Sequence, residues 1–145
     1  MTDDLPTADL TRFLAKLPVF KQLKTAEREQ LLTRCRLLAL DHRKILQAGG
    51  EPHHHLWVVV TGEIAMVASS AEGDDLTLAI FGPGSTSSWI ALFHETPAER
   101  NLIGVPGSYI LGIPRAVALS LLEAHPSLYP TVLKIEANRF RAALN

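Results

Sequence analysis

Apolar residues along this chain change their period twice, and each change predicts a different kind of element. In the first third, Leu10, Phe13, Leu14 and Leu17 recur at three- and four-residue spacing, which predicts an amphipathic helix that Pro18 ends. Thr25 reads as the N-cap of a second helix, with Glu27 and Glu29 in its first turn and Leu31, Leu32 and Cys35 on its apolar side. From Arg36 the pattern becomes short β-rich runs. Strands are predicted near Leu37–Leu40, Lys44–Gln47, His55–Val60, Glu63–Ala68, Leu76–Phe81, Arg100–Val105 and Tyr109–Ile113. Turn residues separate them: Gly49-Gly50, Thr61-Gly62, Glu72-Gly73-Asp74, Gly82-Pro83-Gly84 and Pro106-Gly107. Many short strands with Gly and Pro turns predict a sandwich or barrel.

The tail returns to helical spacing. A short helix is predicted over Arg115–Glu123, broken at His125-Pro126, and a longer one from about Ser127 to Leu144. In the longer one Leu133, Ala137, Phe140 and Leu144 step by four, three and four, which makes an apolar seam. Such a seam invites a partner helix, most simply its own copy in a two-fold homodimer. The alternative is that the stripe packs back on the same domain. The resulting organisation is one domain: helices over residues 1–35, a β-roll over 36–113 and helices over 114–145.

Composition narrows the classes. The 145 residues are 47% hydrophobic and 20% charged, ordinary for one globular domain with a sizeable core. A formal net charge of -1 argues against strong attraction to phosphate backbones. The single Cys35 rules out an internal disulfide framework and fits a reducing compartment. Met1 to Pro6 is acidic and polar and lacks the apolar core of a secretory signal, and the longest apolar run, around Leu56 to Val60, is too short to span a bilayer. The expectation is a soluble cytoplasmic protein.

Several local motifs, in order, carry a resemblance. They are Leu17-Pro18-Val19-Phe20-Lys21-Gln22-Leu23, Ile45-Leu46-Gln47-Ala48-Gly49-Gly50-Glu51, Leu56-Trp57-Val58-Val59-Val60-Thr61-Gly62-Glu63-Ile64, Phe81-Gly82-Pro83-Gly84-Ser85 and Ile113-Pro114-Arg115. Together they resemble the cyclic-nucleotide-binding sensor domain of the Crp-Fnr regulator family, from Leu10 to Leu144. The resemblance implies a mainly β fold with flanking helices: a double-stranded β-helix, or jelly-roll, with N-terminal helices and a long C-terminal helix. It also implies a ligand-sensing role rather than an enzyme. In that family the roll binds an effector, the long helix dimerises, and a following helix-turn-helix module binds DNA.

The family's ligand site is a phosphate cassette, expected here over residues 84–98. A short helix offers backbone N–H groups to the cyclic phosphate, an arginine pairs with that phosphate, and a glutamate accepts from the ribose hydroxyl. Here Ser88 stands where the family has glycine and Trp89 where it has glutamate, although Ala91-Leu92-Phe93 fits the pattern. The arginine position falls on Ala98, or on Arg100 after a two-residue slip. Each charge-assisted hydrogen bond contributes roughly 1.5–3 kcal/mol, so losing two costs about 3–6 kcal/mol. That is on the order of 10²–10⁴ in affinity. A Trp89 ring in the sugar pocket would add steric exclusion. The candidate pocket is therefore Ser85, Ser87, Ser88, Trp89, Ile90, Ala91, Ala98 and Arg100, with cAMP binding weakened or lost and no cofactor expected. The seryl run Ser85 to Ser88 offers either a small-anion site or plain N-capping.

Two further readings stay open. One is a stand-alone, ligand-free interaction module of the same fold. The other is a metal-dependent jelly-roll enzyme using the His-x-His spacing of His53 and His55, although no acid follows on that strand and the run reads better as a surface turn. Trp57 reads as β-core, Cys35 as a small core residue, and Glu95, Glu99 and Arg100 as a solvated loop. No catalytic triad, paired carboxylates or nucleotide-binding glycine loop is visible. Arg139 to Asn145 carries no helix stop signal, which predicts a piece of a longer protein whose DNA-reading module lies beyond this chain.

Overall fold

The computed structural model describes residues 5–144; Met1–Asp4 and Asn145, which the readings above include, lie outside the described residues. Helix α1 spans Thr7–Leu14 and α2 spans Thr25–Leu32, with a 3-10 turn at Phe20–Gln22 between them. Seven strands follow: β1 Arg36–Ala39, β2 Lys44–Gln47, β3 His55–Thr61, β4 Ile64–Ser69, β5 Asp75–Phe81, β6 Asn101–Gly104 and β7 Tyr109–Pro114. The chain continues through α3, Arg115–Ala124, a 3-10 turn at Pro126–Leu128, and α4, Tyr129–Leu144.

The strands form two antiparallel sheets, one in the order β1-β7-β3 and one in the order β2-β6-β4-β5. This is the jelly-roll that the family resemblance implies. The uninterrupted apolar run of β3 follows from burial on both faces. Leu56, Val58 and Val60 point into a large core shared with the helices, whereas Trp57 and Val59 point into the smaller core inside the roll. β7 repeats the division, with Leu111 and Ile113 on one side and Ile110 on the other. Gly112 sits opposite Trp57 in the β3–β7 register, and a Cβ there would lie 2.7 Å from the indole ring. The close approach explains glycine at that position.

Local details correct the sequence reading. Thr25 is the first residue of α2 rather than its cap; the carboxylate of Glu27 accepts from the Lys24 N–H at 2.7 Å, and Thr25 Oγ1 accepts from Arg28. Helix propensity ran past the true end of α2, so Cys35 lies in the turn after it, half-buried, with Sγ 3.2 Å from the Leu31 carbonyl. Burial pushes its thiol pKa up to about 12. The segment from Ser127 winds as a 3-10 turn before α4 begins, because Pro126 sets the entry.

α4 docks on the roll through Val132, Ile135, Glu136 and Arg139. Its seam of Leu133, Ala137, Phe140 and Leu144 stays exposed, so the stripe does not pack back on its own domain.

Candidate functional site

The segment between β5 and β6 builds the site. Gly84, in a left-handed conformation at φ +86°, donates its N–H to the Val59 carbonyl, and Val59 N–H donates to the Ser85 carbonyl. Thr86 bridges to Val58. Ser87 closes this zipper: its N–H donates to the Trp57 carbonyl and its Oγ accepts from the Trp57 N–H, each at 2.8 Å. The expected cassette helix is only a 3-10 turn over Ile90–Phe93, and Ser88 Oγ caps it by accepting from the Ala91 N–H.

At the start of this turn sits a carboxylate that the sequence reading missed. Glu136 of α4 accepts from Ser88 Oγ and from the Trp89 N–H, each at 3.2 Å. Arg139, one turn along, lies 3.7 Å from the same carboxylate, donates to the Thr86 carbonyl and stacks over the Phe81 ring at 5.6 Å. Within the seryl run, Ser88 thus caps the turn and meets a carboxylate of the protein itself. One signal for these residues existed. Glu136 and Arg139 share the helical face of Val132 and Ile135, opposite the exposed seam.

A cavity of about 670 Å³ lies between the roll, this segment and α4. Of the expected pocket residues, Ser87, Ser88, Ala91, Ala98 and Arg100 line it. Ala98 is buried and holds the turn after β2 by exchanging backbone bonds with Gly50 and Glu51. Arg100 is exposed and reaches only the neighbouring Glu99 carbonyl, at 3.3 Å. Ser85 and Trp89 instead line a smaller cavity of about 220 Å³ beside Phe20 and Ile135, and Ile90 lines neither.

Trp89 is the largest correction. It is wholly buried in the main core, its ring 5.9 Å from that of Phe20, so it cannot exclude a sugar from the large cavity. The tryptophan at the cavity is Trp57, stacked on His55 at 4.6 Å. His53 and His55 are also more than a surface turn, since both line the cavity. Burial is the main cause lowering both pKa values; His94 and Arg115 add to it at His53, and His54 and Arg36 at His55. Among the described residues, no three or more His, Cys, Asp or Glu side chains gather as a metal would require.

The sequence model of the cyclic nucleotide-binding domain matches residues 41–125, more than half of the chain, and spans the roll and this segment. The chain belongs to the cyclic nucleotide-binding domain family. Its fold superimposes on the sensor domain of the transcriptional regulator DNR from Pseudomonas aeruginosa with a TM-score of 0.79 at 19% identity, covering 95% of this chain and 93% of that one. Among curated proteins, a lysophospholipase NTE1 of Pyricularia oryzae is 22% identical over 149 aligned positions, covering 97% of this chain but 10% of its own length. A CRP-like cAMP-activated global transcriptional regulator of Mycobacterium tuberculosis is 18% identical over 136, covering 94% of this chain and 61% of its own length. The chain therefore spans a tenth to about three-fifths of these two curated relatives. Among the described residues no helix is long and apolar enough to cross a membrane.

Proposed function

We propose that this cyclic nucleotide-binding domain is the effector-sensing part of a Crp-Fnr-type transcriptional regulator, and that the large cavity is its effector site. One observation carries the reading: the roll, the segment after β5 and helix α4 wall the same cavity, so an occupant touches the helix that would carry the signal. Binding would shift the population of α4 positions, and the exposed seam Leu133, Ala137, Phe140 and Leu144 would pass the shift to a second copy. In this reading the chain works as a homodimer in the cytoplasm, is no enzyme, and meets DNA only through another part of the whole protein.

Affinity for cAMP is weakened or lost. The N–H at the start of the 3-10 turn and the Ser88 hydroxyl are already committed to Glu136, and the Arg139 guanidinium to Glu136 and Thr86. A cyclic phosphate would have to displace a carboxylate that these groups already hold.

Calorimetric titration with cAMP and cGMP at moderate salt tests this. Absent or millimolar binding supports it, and micromolar binding refutes the loss. Sedimentation over a concentration series tests the seam: Phe140→Glu should shift a dimer towards monomer, and an unchanged distribution would count against α4 as the dimer helix.

A further inference from the structure

The wall of the large cavity has an unusual charge balance. Several of its polar side chains are bonded within the protein before any ligand arrives, while the indole N–H of Trp57 in the wall is buried without a partner. Gln47 Nε2 donates to the carbonyls of Ala48, Glu51 and Pro52 at 3.0–3.3 Å. Ser87 is tied to β3, and Glu136 is held by Ser88, Trp89 and Arg139. His53 and His55, with pKa values lowered by burial, are neutral at neutral pH. The remaining charges, Glu99 and Arg100, are adjacent, opposite in sign and exposed at the rim. What is left of the wall is chiefly apolar: Trp57, Met66, Leu78, Ala79, Phe81 and Leu102. A volume of about 670 Å³ falls within the usual range for small-molecule sites, roughly 300–1,000 Å³.

A charged ligand entering such a site loses water and finds no buried counter-charge to pair with: the unpaired Trp57 N–H is neutral, Arg100 is exposed, and an anion also meets the resident carboxylate of Glu136. We propose that the cavity takes an uncharged, largely apolar small molecule, and that Glu136 is the specificity-determining residue that turns anions away. The inference rests on the large cavity being the effector site. It replaces the family's charged nucleotide with a neutral ligand class, and it assigns the discrimination to one side chain.

Two dyes with the same aromatic body test it: phenylnaphthylamine, which is neutral, and anilinonaphthalene sulfonate, which carries one negative charge. The wild-type domain should bind the amine at one site and the sulfonate at least about tenfold more weakly. Glu136→Gln leaves the Arg139 guanidinium without its counter-charge and should bring the two within about threefold. Ala79→Trp fills the cavity from β5 and should abolish amine binding; Ala91→Trp repeats this from the other segment if the first variant melts early. Equal wild-type affinities, or a gap that Glu136→Gln leaves unchanged, would overturn the role of charge while leaving the effector cavity standing. Failure of the amine to bind, or cAMP binding tightly enough to displace it, would overturn the neutral-ligand class. Amine binding that survives a well-folded cavity-filling variant would overturn both this inference and the effector-cavity reading.

Discussion

Trp89→Glu restores the residue type that the family carries at this point, and the two placements of position 89 predict opposite outcomes for it. By the family resemblance the position faces the ligand, so glutamate should be harmless. In the structure the ring is wholly buried against Phe20 in the main core. Burying an aromatic side chain removes about 200 Å² from water, worth about 5 kcal/mol at roughly 25 cal/mol per Å². Glutamate fills only part of that volume and buries a carboxyl group that has no free donor, adding roughly 2–4 kcal/mol. The sum, about 7–9 kcal/mol, matches or exceeds the stability of many domains, about 5–15 kcal/mol. The variant should be largely unfolded by circular dichroism at room temperature. Trp89→Phe is the control. The indole Nε1 has no hydrogen-bond partner, so this change sacrifices only volume, about 1–2 kcal/mol. Urea titrations followed by circular dichroism measure both. A Trp89→Glu melting temperature within about 3 °C of wild type would refute the core placement and return the side chain to the cavity.

Three further outcomes follow from geometry. Gly62 has φ +84°, and a Cβ there would sit 2.1 Å from Ser108 Oγ, which accepts from the Glu63 N–H; Gly62→Ala should cost about 2–4 kcal/mol in urea unfolding, and a loss below about 0.5 kcal/mol would contradict the tight turn. Because burial holds the His55 pKa below 6.5, the unfolded chain binds the proton first as pH falls, so stability present above about pH 6.5 is lost on acidification below it; the melting temperature should drop more steeply from about pH 7.5 to 5.5 in wild type than in His55→Gln, and parallel slopes would deny His55 this role. With its pKa pushed up to about 12, the Cys35 thiol should react with a disulfide reagent at pH about 8 far more slowly in the native domain than in urea, and equal rates would show it exposed.

Strand existence was legible because β-rich runs and turn glycines are local signals, and the roll because ordered motifs carried the family resemblance. The predicted strands near Lys44–Gln47 and Tyr109–Ile113 coincide with β2 and nearly with β7. Helix ends were less legible, since caps and 3-10 turns depend on single hydrogen bonds such as Glu27 to Lys24. The apolar seam of α4 could be read from spacing alone, but that it stays exposed could not. The polar pair on its other face, Glu136 and Arg139, could be seen as a pair but not as part of a site.

The sequence by itself determined which residues lie on which face of each strand and helix, because side-chain direction follows backbone period. The ordered motifs carried the family resemblance and through it the jelly-roll, and helical spacing set out the apolar seam. It could not determine which way position 89 turns. That depends on the path of the chain after Gly84, which is held by the zipper of Thr86 and Ser87 along β3 and by the Glu136 contact to the Trp89 N–H. Nor could it bring Glu136 to Ser88, 48 positions away. Contacts of that kind exist only after the roll has closed and α4 has docked, since tertiary packing and not local propensity sets the distance between the two segments. Only the tertiary structure decided that the anion position holds a side chain of the protein, and with it what the cavity has left to offer a ligand.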